Sequence, residues 1–374
     1  MTRSLRGVLG SALALALVAV ASACGSNGPS SASKPVPTTV ALAPAPPTST
    51  IAEGALDLAA PAGTFPPGMI TGFQAASGCQ VAMQTWPAGS DPPARLRRLL
   101  GALDLVSVRA DRLRPLALAR LVVPLDPDEI DGMGGIPSRL QSMHAVSLNE
   151  LAYAVPYAWE PLVLLARRDA FPDGPPKSLR ALWEPANGSL VAVPEDPLTL
   201  ATAALSVGVA DPFSLAVSDL AAADELVRLA PPAYRFTSRA QLESLLVSGA
   251  VELALGSPRV ASALRGRLKV SATVPKEGGV GLVRALALAA RAPHPVCAYR
   301  FLSYVLEPGP QAAVAIATGL TPAVRGACGP LGRRRCASLH AKDQWGASVQ
   351  FASRPVSPAA PWASWVRDWR SLAP

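Results

Sequence analysis

Short apolar runs alternate with amphipathic stretches along most of the chain, and this alternation predicts an α/β protein. The 374 residues suffice for two lobes or domains even after a leader is removed. Cap and turn residues also punctuate the runs where such a chain needs them.

The first 23 residues read as a secretion signal. Arg3 and Arg6 give a positive start, and an uncharged run from Val8 to Ala23 follows. That run is too short to favour a stable membrane span but suits a signal-peptide core. It closes on Ala21-Ser22-Ala23-Cys24-Gly25, an arrangement that resembles the bacterial lipobox. Cys24 is therefore expected to carry a lipid and to anchor the protein on the outer face of the cell membrane, in the periplasmic space or at the cell surface. Residues 24–51 are mostly Ser, Pro, Thr and Ala, and cannot bury enough surface to offset their ordering entropy. They read as a tether. No later stretch offers some twenty uncharged apolar residues, so no second anchor is expected.

Beyond the tether, Pro66-Pro67-Gly68 opens a helix carrying Met69, Ile70 and Phe73 and ending near Gly78. Strands are expected at Cys79 to Met83 and at Leu103 to Val108, with Asp104 and Ser107 as polar members of the second. Val191 to Val193, Val251 to Leu255 and Val270 to Val274 follow as further strands. Helices are expected at Leu215 to Leu229 and at Ser238 to Ser248. The second has a Ser238/Gln241 capping pair and stops at Gly249. Trp362, Trp365 and Trp369 recur at helical spacing near the end and read as a docking stripe.

The formal charge of +8 is spread along the chain. Its densest run, Arg333-Arg334-Arg335, lacks interleaved aromatics and reads as a solvated loop, so no nucleic-acid role is expected. Cys79, Cys297, Cys328 and Cys336 remain after Cys24, and four cysteines in an exported chain favour two disulfides. Four allow three pairings, and spacing alone chooses none. With no Cys-x-x-Cys and with His144, His294 and His340 far apart, a zinc site is not expected. Gly278-Gly279-Val280-Gly281 has no following lysine, and no Gly-x-Ser-x-Gly elbow occurs. Ser31 and Lys34 have a Ser-x-x-Lys spacing, but inside the tether, where no site is pre-organised. The expectation is a non-enzyme with no cofactor and no metal.

Five motifs then suggest a family: Tyr153-Ala154-Val155-Pro156-Tyr157-Ala158-Trp159, Pro176 to Pro185, Val274-Pro275-Lys276-Glu277-Gly278-Gly279, Cys297 to Leu302, and Thr318 to Ala323. Their order and spacing resemble those of polyamine (spermidine/putrescine) receptors of ABC importers in lipoprotein form. Gly78-Cys79-Gln80-Val81, Ser338-Leu339-His340 and Trp365 to Trp369 resemble one branch of that family. The similarity covers residues 55 to 374. It implies a two-lobed, type II periplasmic-binding-protein-like fold with a hinge and an interlobe cleft. Lobe 1 would comprise 52–155 plus 285–322, and lobe 2 would comprise 156–284 plus 323–374. The resemblance also implies Cys79–Cys297 and Cys328–Cys336 bridges. The implied partners are a small solute and ABC permease subunits, with the receptor a monomer that touches the membrane through its lipid alone.

Family members hold ammonium groups with acidic side chains and methylene chains between aromatic rings. Here most of those positions have changed. The aromatic-polar stretch expected early in lobe 1 is Ala59-Ala60-Pro61-Ala62-Gly63-Thr64. Leu282 and Arg284 stand where the family carries a tryptophan and an aspartate, and Ser257 replaces another tryptophan, with Arg259 close by. Asp111, Asp196 and Thr199 are candidate polar groups, and Tyr157 and Trp159 a candidate aromatic wall. For each a structural role competes: Trp159 as hinge packing, Asp196 and Thr199 as turn or cap residues. Glu160 reads as solvated. A ligand ammonium about 4 Å from the Arg284 guanidinium would meet roughly 4 kcal/mol of repulsion at an effective dielectric near 20. That corresponds to nearly a thousandfold in affinity. An acidic or zwitterionic solute gripped by Arg284 therefore competes with a polyamine, unless Arg284 turns away or pairs with Asp111 or Asp196. The competing functions are an importer's receptor, a non-transporting envelope sensor or scaffold with a degenerate cleft, and, least supported, an envelope hydrolase.

Overall fold

The structure is a computed structural model that describes residues 53–372 apart from 88–97, 99, 185–189, 230–231, 233, 340–347 and 356–357. The described residues fall within one compact unit, Ala41–Pro374. The leader 1–23, Cys24 and the tether 24–51 lie outside the described residues.

Local signals place the first elements. After β1 (Ala55–Pro61), prolines open α1 (Pro67–Ser77), where a missing N–H costs nothing, and Gly78 closes it at φ 75°. β2 (Gln80–Trp86) and β3 (Leu105–Arg109) flank β1 on either side, both parallel to it. A 3-10 turn (Ala110–Arg112) leads into α2 (Leu113–Leu118), followed by α3 (Ser138–Gln141) and a small hairpin of β4 (Ser147–Leu148) and β5 (Leu151–Ala152). β6 (Val155–Pro161) then runs through Leu162 into β7 (Val163–Arg167).

The middle of the chain supplies β8 (Val191–Pro194), α4 (Thr199–Ser206), α5 (Val217–Leu229) and β9 (Tyr234–Phe236). It continues with α6 (Arg239–Ser248), β10 (Leu253–Gly256), α7 (Pro258–Ala263) and β11 (Val270–Thr273). The Ser238 hydroxyl caps α6 by accepting the Gln241 N–H at 3.2 Å. β10 begins two residues later than its apolar run because the Val251 N–H is spent on the Leu245 carbonyl at the end of α6. β12 (Gly279–Leu288) crosses back and leads to α8 (Pro295–Leu306), α9 (Pro308–Thr318) and β13 (Thr321–Pro322). α10 (Cys328–Ser338), β14 (Val349–Phe351) and α11 (Trp362–Ser371) complete the described chain.

These strands build two principal sheets, one per lobe. The first has the order β13-β6-β12-β3-β1-β2, with β14 also on β12, and the second the order β11-β7-β10-β8-β9. Each lobe has its own core. Phe65, Phe73, Tyr157 and Phe301 meet edge-on or tilted within the first. In the second sheet, Leu253 and Leu255 join one apolar cluster and Ala254 another, as strands covered on both faces require. Trp365 and Trp369 of α11 are buried in the second lobe's core, while Trp362 is half-buried and tilted against Trp365. Residues after 322 serve both lobes: α10 packs on α9, β14 extends the first sheet, and α11 closes over the second.

Two segments cross between the lobes. Leu162 and Val280 belong to the second core, whereas Tyr157 and Val283, on the same two strands or beside them, belong to the first. The Leu162 N–H donates to the Val280 carbonyl at 2.7 Å and ties the crossings together. Close packing at the crossing accounts for the glycine run 278–281. Gly278 has φ 88°, and a Cβ on it would stand 2.2 Å from the Ser348 carbonyl oxygen. A Cβ on Gly281 would stand 2.5 Å from Val349 Cγ1. The glycines admit the tail strand against the crossing.

Disulfides join Cys79 to Cys297 and Cys328 to Cys336. Asp104 is fully buried, and its carboxylate accepts the backbone N–H groups of Asp57 (2.7 Å) and His294 (2.6 Å) and contacts His294 Nδ1 at 2.9 Å. It staples the start of β3 to the start of α8, which is why the strand begins at Leu105 rather than Leu103. Among the described residues, no helix is long and apolar enough to cross a membrane.

Candidate functional site: the interlobe cleft

The ends of β3 and β8 face each other across the lobes, and the charges that close this gap come from both. Arg109 ends β3, Asp111 lies in the turn that follows, and Asp196 lies in the turn between β8 and α4. Arg109 Nε donates to Asp111 Oδ1 at 2.8 Å, and its Nη1 donates to Asp196 Oδ2 at 2.9 Å. Burial works against the charge on Arg109, but the carboxylates of Asp111 and Asp196 more than offset it and hold the guanidinium protonated. Burial likewise opposes the Asp196 charge. Arg109, the Leu198 N–H and Arg112 outweigh it and keep that carboxyl below its ordinary range. Arg112 Nη2 lies 3.8 Å from Asp196 Oδ2, and Arg354, beyond β14, adds another cation to this group.

Arg284 lies directly opposite Arg109 in the β12–β3 pairing, so two guanidinium side chains share one face at a pair where like charges repel. Neither Asp111 nor Asp196 pairs with Arg284, because Arg109 has taken both. Arg284 Nη1 is buried without a hydrogen-bond partner among the described residues. It also adds repulsion to Arg259, whose charge burial already disfavours and Glu160 partly restores. The Ser257 hydroxyl donates to Glu160 Oε2 and accepts the Arg259 N–H at 3.3 Å.

Arg109, Arg112 and Arg354 thus surround two carboxylates, those of Asp111 and Asp196, while Arg284, opposite Arg109 in the sheet, also neighbours Arg259, which pairs with Glu160. Beside the Arg109 bridge a cavity of about 330 Å³ remains, lined by Asp111, Arg112, Asp196, Arg354, Trp362 and Trp369 among others. Arg354 lies over the Trp362 ring at 4.8 Å, and burial lowers its pKa from the ordinary arginine value. The cleft is therefore cation-rich, part bridged and part open.

Against this geometry, the family model for bacterial extracellular solute-binding proteins matches residues 68–328. The chain belongs to this family. The architecture of a solute-binding protein is also that of solved structures of low sequence identity. One is a spermidine/putrescine ABC transporter substrate-binding protein from Streptococcus pneumoniae, at 15% identity and TM-score 0.72, covering 85% of this chain and 97% of that one. Another is an ABC transporter substrate-binding protein from Bradyrhizobium japonicum, at 21% and 0.71, with coverage of 86% and 100%. A GABA receptor follows at 18% and 0.64, covering 84% and 94%.

The structure brings Asp111 and Asp196 of this solute-binding protein to one gap, sets Arg284 opposite Arg109 in the adjoining strand, and corrects other expectations. Tyr157 is not a cleft wall: it is 1% exposed, its ring against Phe65 and its hydroxyl 2.7 Å from the Ser107 hydroxyl, because its β6 face turns into the first core. Thr199 is buried too, and its hydroxyl donates to the Pro194 carbonyl at 3.0 Å, so it secures the turn before α4. Ser257 caps α7 and holds Glu160, which is part-buried rather than solvated. Trp159 packs edge-on against Phe351 at 5.4 Å and is 6% exposed, a hinge-packing role. Arg333, Arg334 and Arg335 are exposed, but in the helical part of α10 that follows a kink at Gly332 (φ 73°) rather than on a loop.

Sequence reading missed Arg109, Arg112 and Arg354. Arg109-Ala110-Asp111-Arg112 alternates charge directly after an apolar strand, a signal that marked only its aspartate. Arg354 carried no local signal, since it sits beyond the last regular alternation.

Proposed function

We propose that this chain is the substrate-binding lipoprotein of an ABC import system, and that it delivers a carboxylate-bearing acidic or zwitterionic solute to a permease. Lipidated Cys24 would hold it at the outer face of the membrane, and the lobes would close over the solute by a hinge at the two crossings. One observation carries the choice of solute. The carboxylates able to receive a ligand ammonium, Asp111 and Asp196, already hold Arg109. Arg284 and Arg354 stand beside them as forks for a carboxylate, and a planar guanidinium matches that group with two parallel bonds. The membership in an extracellular solute-binding family and the low-identity likeness to polyamine and GABA receptors support the class of function.

A thermal-shift panel of dicarboxylates, amino acids, putrescine and spermidine tests this reading. A carboxylate at a hundred times its dissociation constant adds about 2.7 kcal/mol of stability, and Arg284→Ala removes the gain. Tight putrescine or spermidine binding that survives Arg284→Ala unchanged would overturn the assignment.

The Arg109 bridge favours a second reading, a sensor or scaffold whose lobes close without a guest. In that case no panel member shifts the melting temperature of either the native chain or Asp196→Asn.

A further inference from the structure

A second basic cavity shares no lining residue with the one at the Asp196 turn. Its volume is about 570 Å³. The second lobe contributes Arg239 at the start of α6, Arg259 on α7 and Arg265 just beyond it. The first lobe contributes the end of α9, together with Arg334 and Arg335 on α10. Five guanidinium groups from two lobes thus line one concavity of a size that small-molecule sites commonly have.

The counter-charges do not balance them. Glu243 pairs with Arg239 at 3.2 Å, and Glu160 lies 3.6 Å from Arg259. Arg265, Arg334 and Arg335 have no carboxylate partner among the described residues. Arg259 Nε is buried without a hydrogen-bond partner. It packs against Gly319, where α9 ends at φ 71°, and a Cβ there would stand 3.4 Å from that nitrogen.

The two arginines on α10 are also held in place. Cys328 and Cys336 enclose them in a short disulfide-closed segment, and Cys336 and Leu331 are buried beneath the exposed arginines. Gathering like charges around one cavity costs Coulomb repulsion, which a bound anion relieves.

We propose that this second cavity binds a small soluble anion bearing two or more phosphate charges, which bridges α7 and α10. Three guanidiniums without carboxylates call for more than one negative charge, and guanidinium forks match phosphate oxygens in pairs. The two cavities share no lining residue, and Arg265, Arg334 and Arg335 line only this one.

Calorimetric titration of the full chain with inorganic pyrophosphate tests the proposal. Saturable binding is expected, weakened at least tenfold by Arg334→Glu and by Arg335→Glu, and unchanged in the equally charge-shifted exposed control Arg180→Glu. Arg265→Gln repeats the test on the opposite wall, away from the disulfide, and is expected to weaken binding likewise. No heat from pyrophosphate up to millimolar concentration, or affinity unchanged in all three cavity variants, overturns the site. Sedimentation with phosphatidylglycerol vesicles separates the other source of phosphate. Binding to vesicles but not to pyrophosphate would assign the patch to a lipid headgroup and overturn the soluble ligand.

Discussion

Arg109 at the end of β3 donates to Asp196 at 2.9 Å, across 87 residues of sequence and from one lobe to the other. Breaking a buried pair by removing one partner leaves the other charge uncompensated. Asp196→Asn is therefore expected to lower stability by about 1–3 kcal/mol and to open the lobes. Small-angle scattering checks this, because a hinge opening raises the radius of gyration. An unchanged radius would show that the bridge does not hold the lobes.

The same pair makes stability depend on acid. The Asp196 carboxyl titrates below its ordinary value in the folded protein, chiefly because Arg109, the Leu198 N–H and Arg112 outweigh its burial. The unfolded chain therefore takes up this proton first as pH falls. The stabilisation from the pair is complete above the ordinary carboxylate range near pH 4 and is lost as pH drops through the lower folded value. Denaturant midpoints measured from pH 6 to pH 2.5 are expected to fall less steeply in Asp196→Asn than in the native chain.

Cys79 and Cys297 close a span of 218 residues between the start of β2 and α8. Replacing both with alanine is expected to cost roughly 2–5 kcal/mol, read from urea unfolding. The Cys328–Cys336 bridge closes only 8 residues, so its removal is expected to cost less.

Gly278→Ala places a Cβ at φ 88°, 2.2 Å from the Ser348 carbonyl oxygen. Strain and the clash together are expected to cost more than about 1 kcal/mol and to loosen β14. Faster hydrogen exchange over Val349–Phe351 would report that loosening. Trp365→Ala, in the second core, is expected to cost about 3–5 kcal/mol by cavity formation, again read from urea unfolding.

The sequence alone determined what neighbours along the chain decide. Proline at the start of α1, the Ser238 cap of α6 and the glycine stops at Gly78 and Gly249 act within a turn or two, so they are legible before folding. The α/β alternation and the short motifs were equally visible, because a strand's apolar run does not depend on where its partner lies. Only the tertiary structure decided that Tyr157 belongs to a core while Asp196 faces Arg109, and that Arg109 rather than Arg284 takes both aspartates. A side chain's partner across a gap depends on strand order, register and the angle between two lobes. Those follow from the summed packing of distant segments, and no window of sequence contains them.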